Sequence, residues 1–220
     1  MNKTLFRTPV FIATLLMSLA CSPSQSGAEK LPLSEQELKG LSKAYFASGC
    51  FWCVEAIFES VEGVKEAVSG YSGGQSQNPT YAQVSSGRTR HAEAVEVYYD
   101  PKVVSFETLL KVFFGSHDPT TPDRQGPDAG PQYRSVVFYQ NAEEKKLTEA
   151  YIKELQAAGT FDAEIVTEVV KLEVFYKAED YHQDYERKNP YNPYIRAVSI
   201  PRLNRFKAKF PELLKSEQPH

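Results

Sequence analysis

The chain has 220 residues, 41% hydrophobic and 24% charged, with a net charge of −3 at neutral pH. This balance suits one globular domain with additional segments and excludes both a disordered polyelectrolyte and the basic footprint of a nucleic-acid-binding protein. Beyond the N-terminus, no stretch is long and apolar enough to span a membrane.

Lys3 and Arg7 precede an apolar run over residues 10–19 that closes on Ser18-Leu19-Ala20-Cys21. A basic start, a short apolar core and a small residue before a cleavage point describe a secretory signal. The cysteine directly after Ala20 makes residues 1–20 resemble a bacterial lipoprotein signal, with Cys21 as the lipidated first mature residue; Ser18 stands where Leu is more usual, and an ordinary cleaved signal and an uncleaved anchor are the other readings. The expected location is the bacterial cell envelope, lipid-anchored to a membrane and facing the periplasm or the exterior. Residues 21–42 are polar and read as a flexible tether, with a short helix over residues 34–41.

The main domain is expected over residues 43–220, with a helical tail at its C-terminal end. Residues 44–47 form a strand candidate. Val54, Ile57, Phe58 and Val61 recur at i, i+3, i+4 and i+7, the pattern of an amphipathic helix, and Gly63 supplies a stop. A strand over residues 64–71 leads to a Gly73-Gly74 turn, a short helix over 80–86, and the clearest strand, 91–99, closed by Asp100-Pro101. A helix over 105–114 carries Phe106, Leu109, Leu110 and Phe113 on one face. Residues 118–132 form a Gly/Pro/Asp loop long enough to point to function. A strand at 135–139, a charged helix at 142–158, a strand at 166–175, a tyrosine-rich loop region at 176–194 and a last helix around 203–210 complete the order. Strands and helices intermix with short links, which favours an α+β fold, a small sheet with helices against it.

Chemistry concentrates at Cys50-Phe51-Trp52-Cys53, at the start of the first long helix. A bridge across so few residues closes too small a loop to stabilise the fold, so a redox role is favoured over a structural one. Residues i and i+3 on a helix have Cβ atoms about 5–6 Å apart. A disulfide needs about 3.5–4.5 Å, so a modest adjustment would close the pair. Cys50 at a helix N-terminus is expected to have its thiol pKa drawn below the ordinary value of about 8.5. A zinc half-site lacks partners, since there is no second cysteine pair and His91, His117, His182 and His220 are scattered. Two inert thiols and a thioredoxin-like exchange motif are the other readings. Exchange leaves Phe51 and Trp52 unexplained, because bulky rings between the thiols hinder a peptide backbone; a hydrophobic cup suits a small apolar substituent.

In the 91–99 strand, period two places Glu93 with Val95, Val97 and Tyr99 on the more apolar face. Burial there would raise its pKa and leave a protonated acid able to serve a leaving oxygen. The alternative is a glutamate on an edge strand, facing water. Tyr81, Tyr133 and Tyr194 flank loops; each alone is first a packing residue, yet each hydroxyl can bind a polar oxygen.

Together, several stretches resemble the A-type peptide methionine sulfoxide reductases. They are Gly49-Cys50-Phe51-Trp52, Gly70-Tyr71-Ser72-Gly73-Gly74, Pro79-Thr80-Tyr81, His91-Ala92-Glu93-Ala94-Val95, His117-Asp118-Pro119-Thr120, Gln125-Gly126 with Asp128 and Gly130, Gln132-Tyr133-Arg134-Ser135, and Tyr181-His182-Gln183. They run in family order across residues 43–194. The resemblance implies an α+β fold, a two-layer sandwich with a ferredoxin-like core, a small mixed sheet and flanking helices. It implies Cys50 as the nucleophile toward the sulfoxide sulfur and Glu93 as the acid for the departing oxygen. Tyr81 and Tyr133 would bind that oxygen, Phe51 and Trp52 would cup the S-methyl group, and Asp128 and Tyr194 would line the site. One enzyme serves each sulfoxide epimer, and the A type takes the S form.

Two departures shape the rest. Many members carry a recycling cysteine after the C-terminal tyrosine, whereas here Ile195 follows Tyr194 and no cysteine lies beyond Cys53. Many members have Gly where Cys53 stands, so the chain resembles the subgroup in which the fourth residue of Gly-Cys-Phe-Trp-Cys resolves the sulfenic acid as a Cys50–Cys53 disulfide. A thioredoxin-like protein would then be the electron donor, with no other cofactor and no metal. Arg90 also occupies a position that is commonly Gly. The expected partners are oxidised proteins or methionine sulfoxide, that reductant, and a membrane through the lipid anchor, for a monomeric chain. The alternatives are an envelope thiol-disulfide oxidoreductase and a lipoprotein that kept these residues without turnover.

Overall fold

A computed structural model describes Met1 and residues 33–216. The remainder of the expected signal segment, Cys21 and the first part of the tether lie outside the described residues. The short helix expected after the tether is α1 (Glu35–Leu38). Ser34 caps it: its hydroxyl accepts from the Glu37 N–H, and the Glu37 carboxylate accepts from the Ser34 N–H.

In chain order, β1 (Ser42–Ser48) leads into α2 (Phe51–Glu59), followed by β2 (Val64–Ser72), α3 (Tyr81–Ser85) and β3 (Ala92–Tyr99). Then come α4 (Phe106–Gly115), a small hairpin of β4 (Arg124–Gln125) and β5 (Asp128–Ala129), β6 (Ser135–Tyr139) and α5 (Ala142–Ala157). Last are β7 (Glu168–Lys171), β8 (Phe175–Lys177), α6 (Tyr185–Lys188) and α7 (Ile200–Lys209). Six strands form one mixed sheet in the order β7-β6-β1-β3-β2-β8. The four inner strands pair antiparallel, and β7 lies parallel to β6. The fold is therefore mixed α+β, with helices flanking a curled sheet.

The two faces of the sheet are unequal. On one face, Ala44 and Phe46 of β1 and Val95, Val97 and Tyr99 of β3 join Val54, Ile57 and Phe58 of α2 and Leu109, Leu110 and Phe113 of α4 in the main core. Stacked rings hold its centre, with Phe46 4.9 Å from Phe58 and 5.3 Å from Phe113 between centroids. On the other face, Tyr45, Ala47, Ala92, Ala94, Val136 and Phe138 form a thinner cluster covered by Leu172 and Phe175. Most of both sides of β1 and β3 is thus buried, and on the polar-looking face of β3 only Tyr98 is half-buried.

One expected strand divides. Residues 166–175 yield β7 at one edge of the sheet, then a crossing over the thin face, then β8 paired with β2 at the opposite edge. Leu172 reads as a strand residue in sequence because it is apolar, but it covers the thin face during the crossing, while Phe175 covers the same face as the first residue of β8. The 118–132 loop contains the β4–β5 hairpin. The last helix starts earlier than the 203–210 pattern, since a π-helical stretch, Ile195–Ser199, runs directly into α7. Pro201 cannot donate to the Ala197 carbonyl, which removes one α-helical bond at that junction. Arg90, just before β3, has a left-handed backbone with φ +58, a conformation free of steric cost only for glycine.

Candidate active site

The turn from β1 to α2 sets the geometry. Gly49 follows the last strand residue at φ +91, and a Cβ there would lie 2.6 Å from the Gln125 side chain. Cys50 is the N-cap of α2, and its carbonyl accepts from the Cys53 and Val54 N–H groups at 3.2 and 3.3 Å. Its side chain makes no capping bond. The first helical N–H, that of Phe51, instead donates to Glu93 Oε2 at 3.1 Å. Glu93 comes from β3, which neighbours β1 in the sheet.

Glu93 is 1% exposed. Burial raises its carboxyl pKa to about 8 despite the Phe51 N–H, with Asp128 and Cys53 adding to the rise. At neutral pH it is an uncharged acid. The Phe51 bond occupies Oε2, and Oε1 accepts no hydrogen bond among the described residues.

Cys50 departs from expectation. Its thiol is 6% exposed, and burial pushes its pKa well above the ordinary range, reinforced by Cys53 and Glu93. The helix N-terminus does not overcome this, since its leading N–H is spent on Glu93. Cys53 moves the other way, to about 6: the hydrogen bond from the Cys50 thiol contributes most, and Arg202, Ser199 and Tyr194 assist against burial. Both thiols are free and buried. The pair therefore shares a proton, with the negative charge favoured on Cys53.

These groups border a cavity of about 320 Å³ lined by Cys50, Phe51, Trp52, Tyr81, Glu93, Asp128, Tyr133, Asn192 and Tyr194. Every site residue expected from sequence lines it except Cys53, which lies buried one helical turn behind Cys50. The hydroxyls of Tyr81 and Tyr133 take no protein partner among the described residues, and burial pushes the Tyr81 phenol up to about 12 and the Tyr133 phenol higher still, so both remain donors. Tyr194 is committed differently. Its O–H donates to Asp128 Oδ2 at 2.6 Å, and its oxygen lies 3.9 Å from Cys53 Sγ.

Trp52 is fixed on three sides. Its ring stacks on Tyr185 at 3.8 Å and 9°, meets Tyr194 edge-on at 6.0 Å, and donates from Nε1 to His182 Nδ1 at 3.1 Å. His182 is fully buried and its pKa is lowered by that burial. A neutral ring that accepts at Nδ1 carries its proton on Nε2, which faces Glu179 Oε2 at 4.0 Å. Glu179 in turn accepts from the Tyr81 N–H and the Tyr71 hydroxyl, both at 2.9 Å.

Sequence reasoning assigned no role to His182, Tyr185, Asn192, Ser199 or Arg202. His182 was visible only as one of four scattered histidines and inside the Tyr181-His182-Gln183 stretch. The others sit on short turns or on a helix whose polar residues look like a solvated face.

Comparison with known proteins fixes the class. The profile of the family described as peptide methionine sulfoxide reductase matches residues 42–214. A peptide methionine sulfoxide reductase MsrA of Natronomonas pharaonis is 50% identical over 173 residues, covering 79% of this chain and 97% of that protein. Among solved structures, methionine sulfoxide reductase A of Corynebacterium diphtheriae matches with TM-score 0.63 and 38% identity, over 70% of this chain and 79% of that one. The reduced form of Mxr1 from Saccharomyces cerevisiae matches with TM-score 0.66 and 34% identity, over 70% and 88%. The protein is thus an oxidoreductase. Within that class the chain belongs to the peptide methionine sulfoxide reductase family, of the MsrA type.

Proposed function

We propose that the enzyme reduces methionine-S-sulfoxide through attack by the Cys50 sulfur, which passes its proton to Cys53 as the new bond forms, with Glu93 as the general acid. The observation that carries this reading is the convergence of one thiol, one protonated carboxyl and two unengaged phenols on a single small aromatic-walled cavity. The S-methyl group would rest against Phe51 and Trp52, and the sulfoxide oxygen would accept from Tyr81 and Tyr133. Bond formation from Cys50 sulfur to the sulfoxide sulfur places charge on that oxygen, which Glu93 protonates. In sum, one oxygen passes from the sulfoxide to Cys50: the substrate sulfur gains two electrons, and Cys50 loses two and becomes a sulfenic acid. Asp128 and Tyr194 position the substrate from the opposite side.

Cys53 then attacks the sulfenic sulfur. The S–S bond forms, the S–O bond breaks, and hydroxide leaves as water with the proton that Cys53 gives up, relayed by the Glu93 carboxylate left from the first step. A thioredoxin-like dithiol protein returns two electrons and reopens the bridge; no metal or organic cofactor takes part. Cys21 is proposed to hold the enzyme on an envelope membrane by lipid, a role that loss of lipid label in Cys21→Ser with retained activity would support.

The test supplies a peptide carrying either sulfoxide epimer, with dithiothreitol as reductant. Turnover of the S but not the R epimer is expected. Insulin reduction without sulfoxide turnover would overturn the reading. Cys53→Ser should release one equivalent of methionine and then stall with thioredoxin; normal cycling would remove Cys53 from the resolving role.

A further inference from the structure

One residue that lines the cavity takes no part in the reaction above. Asn192 borders the same space as Trp52, Asp128 and Tyr194 and is half-buried there. It stands just before the helical run that begins at Pro193 and continues into α7. Its Oδ1 accepts from the Tyr194 N–H at 2.9 Å and from the Ile195 N–H at 3.4 Å, and its carbonyl accepts from the Arg196 N–H at 3.0 Å. These are the bonds of a helix N-cap, and Pro193 fills the first helical position, where no N–H is needed. Two main-chain donors can be met only by the amide oxygen, so the amide has one orientation and its nitrogen faces the other way. There Nδ2 donates to the Tyr185 hydroxyl at 3.3 Å.

A cap needs the oxygen alone, and a serine hydroxyl would serve as well. The nitrogen does something further. It reaches a ring seven residues back in the chain, whose face stacks on Trp52 at 3.8 Å and 9°. Tyr185 is thus gripped at both ends. Its carbonyl accepts from the Asn189 N–H at 2.9 Å and from Asn189 Nδ2 at 3.0 Å, and the Asn189 carbonyl accepts from the Asn192 N–H at 3.0 Å. The contacts make one chain along the cavity. Asp128 accepts from the Tyr194 hydroxyl at 2.6 Å, the Asn192 oxygen seats the Tyr194 main chain, the Asn192 nitrogen holds the Tyr185 hydroxyl, and Tyr185 covers the Trp52 ring. Trp52 and Tyr194 also meet edge-on at 6.0 Å, so a shift of either ring changes the space beside the other.

We infer that Asn192 is a positioning residue that sets specificity: its amide joins the polar side of the cavity, Asp128 with Tyr194, to the aromatic wall, Trp52 with Tyr185, and so fixes the room left for the alkyl group on the sulfoxide sulfur. This role rests on the reading of Trp52 as the methyl wall and adds what holds that wall at its distance. With its oxygen held by the helix start, the amide cannot turn, and the Tyr185 hydroxyl is fixed relative to the main chain at Tyr194. Without that bond the Tyr185 ring is free to slide over Trp52, and a longer substituent enters at less cost. One extra methylene in a fitted pocket is discriminated by about 10–200-fold, and Asn192 maintains part of that selectivity.

The test compares peptides carrying methionine-S-sulfoxide and its S-ethyl homologue, with dithiothreitol as reductant and the full chain with Cys21→Ser as parent. Asn192→Ser keeps an oxygen for the helix start but is too short to reach Tyr185. Tyr185→Phe keeps the stacked ring and removes the acceptor. Each should lower the methyl-over-ethyl ratio of kcat/KM by about 3–10-fold, the worth of one net hydrogen bond, with thermal unfolding close to that of the parent. The double variant should show the fall of one single variant rather than the product of two, because both remove the same bond. An unchanged ratio in either single variant overturns the inference, as does a product in the double. Asn192→Ala also loses the cap and should unfold about 2–4 °C lower, with a ratio no higher than that of Asn192→Ser. That thermal loss with the parent ratio would reduce Asn192 to a cap and overturn the inference. Near-ultraviolet circular dichroism reads the Trp52–Tyr185 stack without substrate. Asn192→Ser should alter it, and Asn192→Asp, whose carboxylate both caps and accepts from the Tyr185 hydroxyl, should restore it. A parent-like spectrum in Asn192→Ser, or a serine-like one in Asn192→Asp, counts against the tie. A parent that reduces neither sulfoxide would instead sink the proposed reaction, and the spectra would still decide whether the amide holds the stack.

Discussion

Cys50 and Glu93 meet across two neighbouring central strands and the first turn of α2, joined by one main-chain hydrogen bond. The wall that faces them, residues 178–202, reaches the same cavity on short turns, a four-residue helix and a π-helical stretch. The first wall belongs to the main core, in which Cys50, Phe51 and Cys53 lie in one cluster with Phe46, Phe58 and Val95. The second wall is held by separate polar ties. Gln183 accepts from the Ser69 N–H and donates to the Ser69 carbonyl, and the Asp184 N–H and the Ser69 hydroxyl both bind Glu55. Chemistry is placed on regular structure, and recognition on a segment pinned to it at discrete points.

The largest effect should come from the first wall. Cys50→Ser should abolish sulfoxide reduction entirely, measured as methionine released in a single turnover; any residual release would move the nucleophile elsewhere. Glu93→Gln should slow that step by about 10²–10⁴-fold, the usual contribution of a positioned acid. The sign with pH follows from its raised pKa. The acid is protonated below about 8 and is lost as pH rises through that value. In the parent enzyme, kcat/KM should therefore fall on the alkaline side with a midpoint near 8, and Glu93→Gln should lack that limb. A parent profile without it would take Glu93 out of the proton transfer.

The second wall should respond more mildly and in a different parameter. A Cβ at Gly70 would lie 2.3 Å from Phe175 Cζ and 2.5 Å from the Tyr176 carbonyl, so Gly70→Ala must push β8 off β2. Overpacking of this kind costs about 1–3 kcal/mol. KM should rise several-fold while the saturated single-turnover rate changes less, read alongside thermal unfolding. An equal fall in both would mean the two walls are not separable. The smallest change lies outside both. Arg90→Gly relieves a left-handed backbone and should stabilise by about 1 kcal/mol with kcat/KM unaltered.

How far the sequence could be read follows the same division. The helix at Val54, Ile57 and Phe58 and the strands at 64–71, 91–99 and 135–139 were legible because their apolar spacing repeats over a whole element. The burial of Glu93 followed from period two. The thiol chemistry was legible in type but not in sign: the helix N-terminus pointed to a lowered Cys50 pKa, and no local pattern could show that its first N–H turns to a residue 42 positions away. The divided 166–175 segment, the start of α7 and the inward side chains of Ser199 and Arg202 depend on which sheet edge the chain meets. Contacts between distant residues decide that, and they leave no period in the sequence. Arg90 was visible as an oddity, and its φ supplies the reason glycine is common there.

Trp52 is the only tryptophan in the chain. The enzyme therefore carries a single indole fluorophore, stacked on a phenol, hydrogen-bonded to an imidazole and set in sequence between two cysteines. Its emission is an internal gauge: a sulfoxide entering the cavity, the bridge closing and the bridge reopening each alter what surrounds the indole. The whole cycle can thus be timed in a stopped-flow cell without a label.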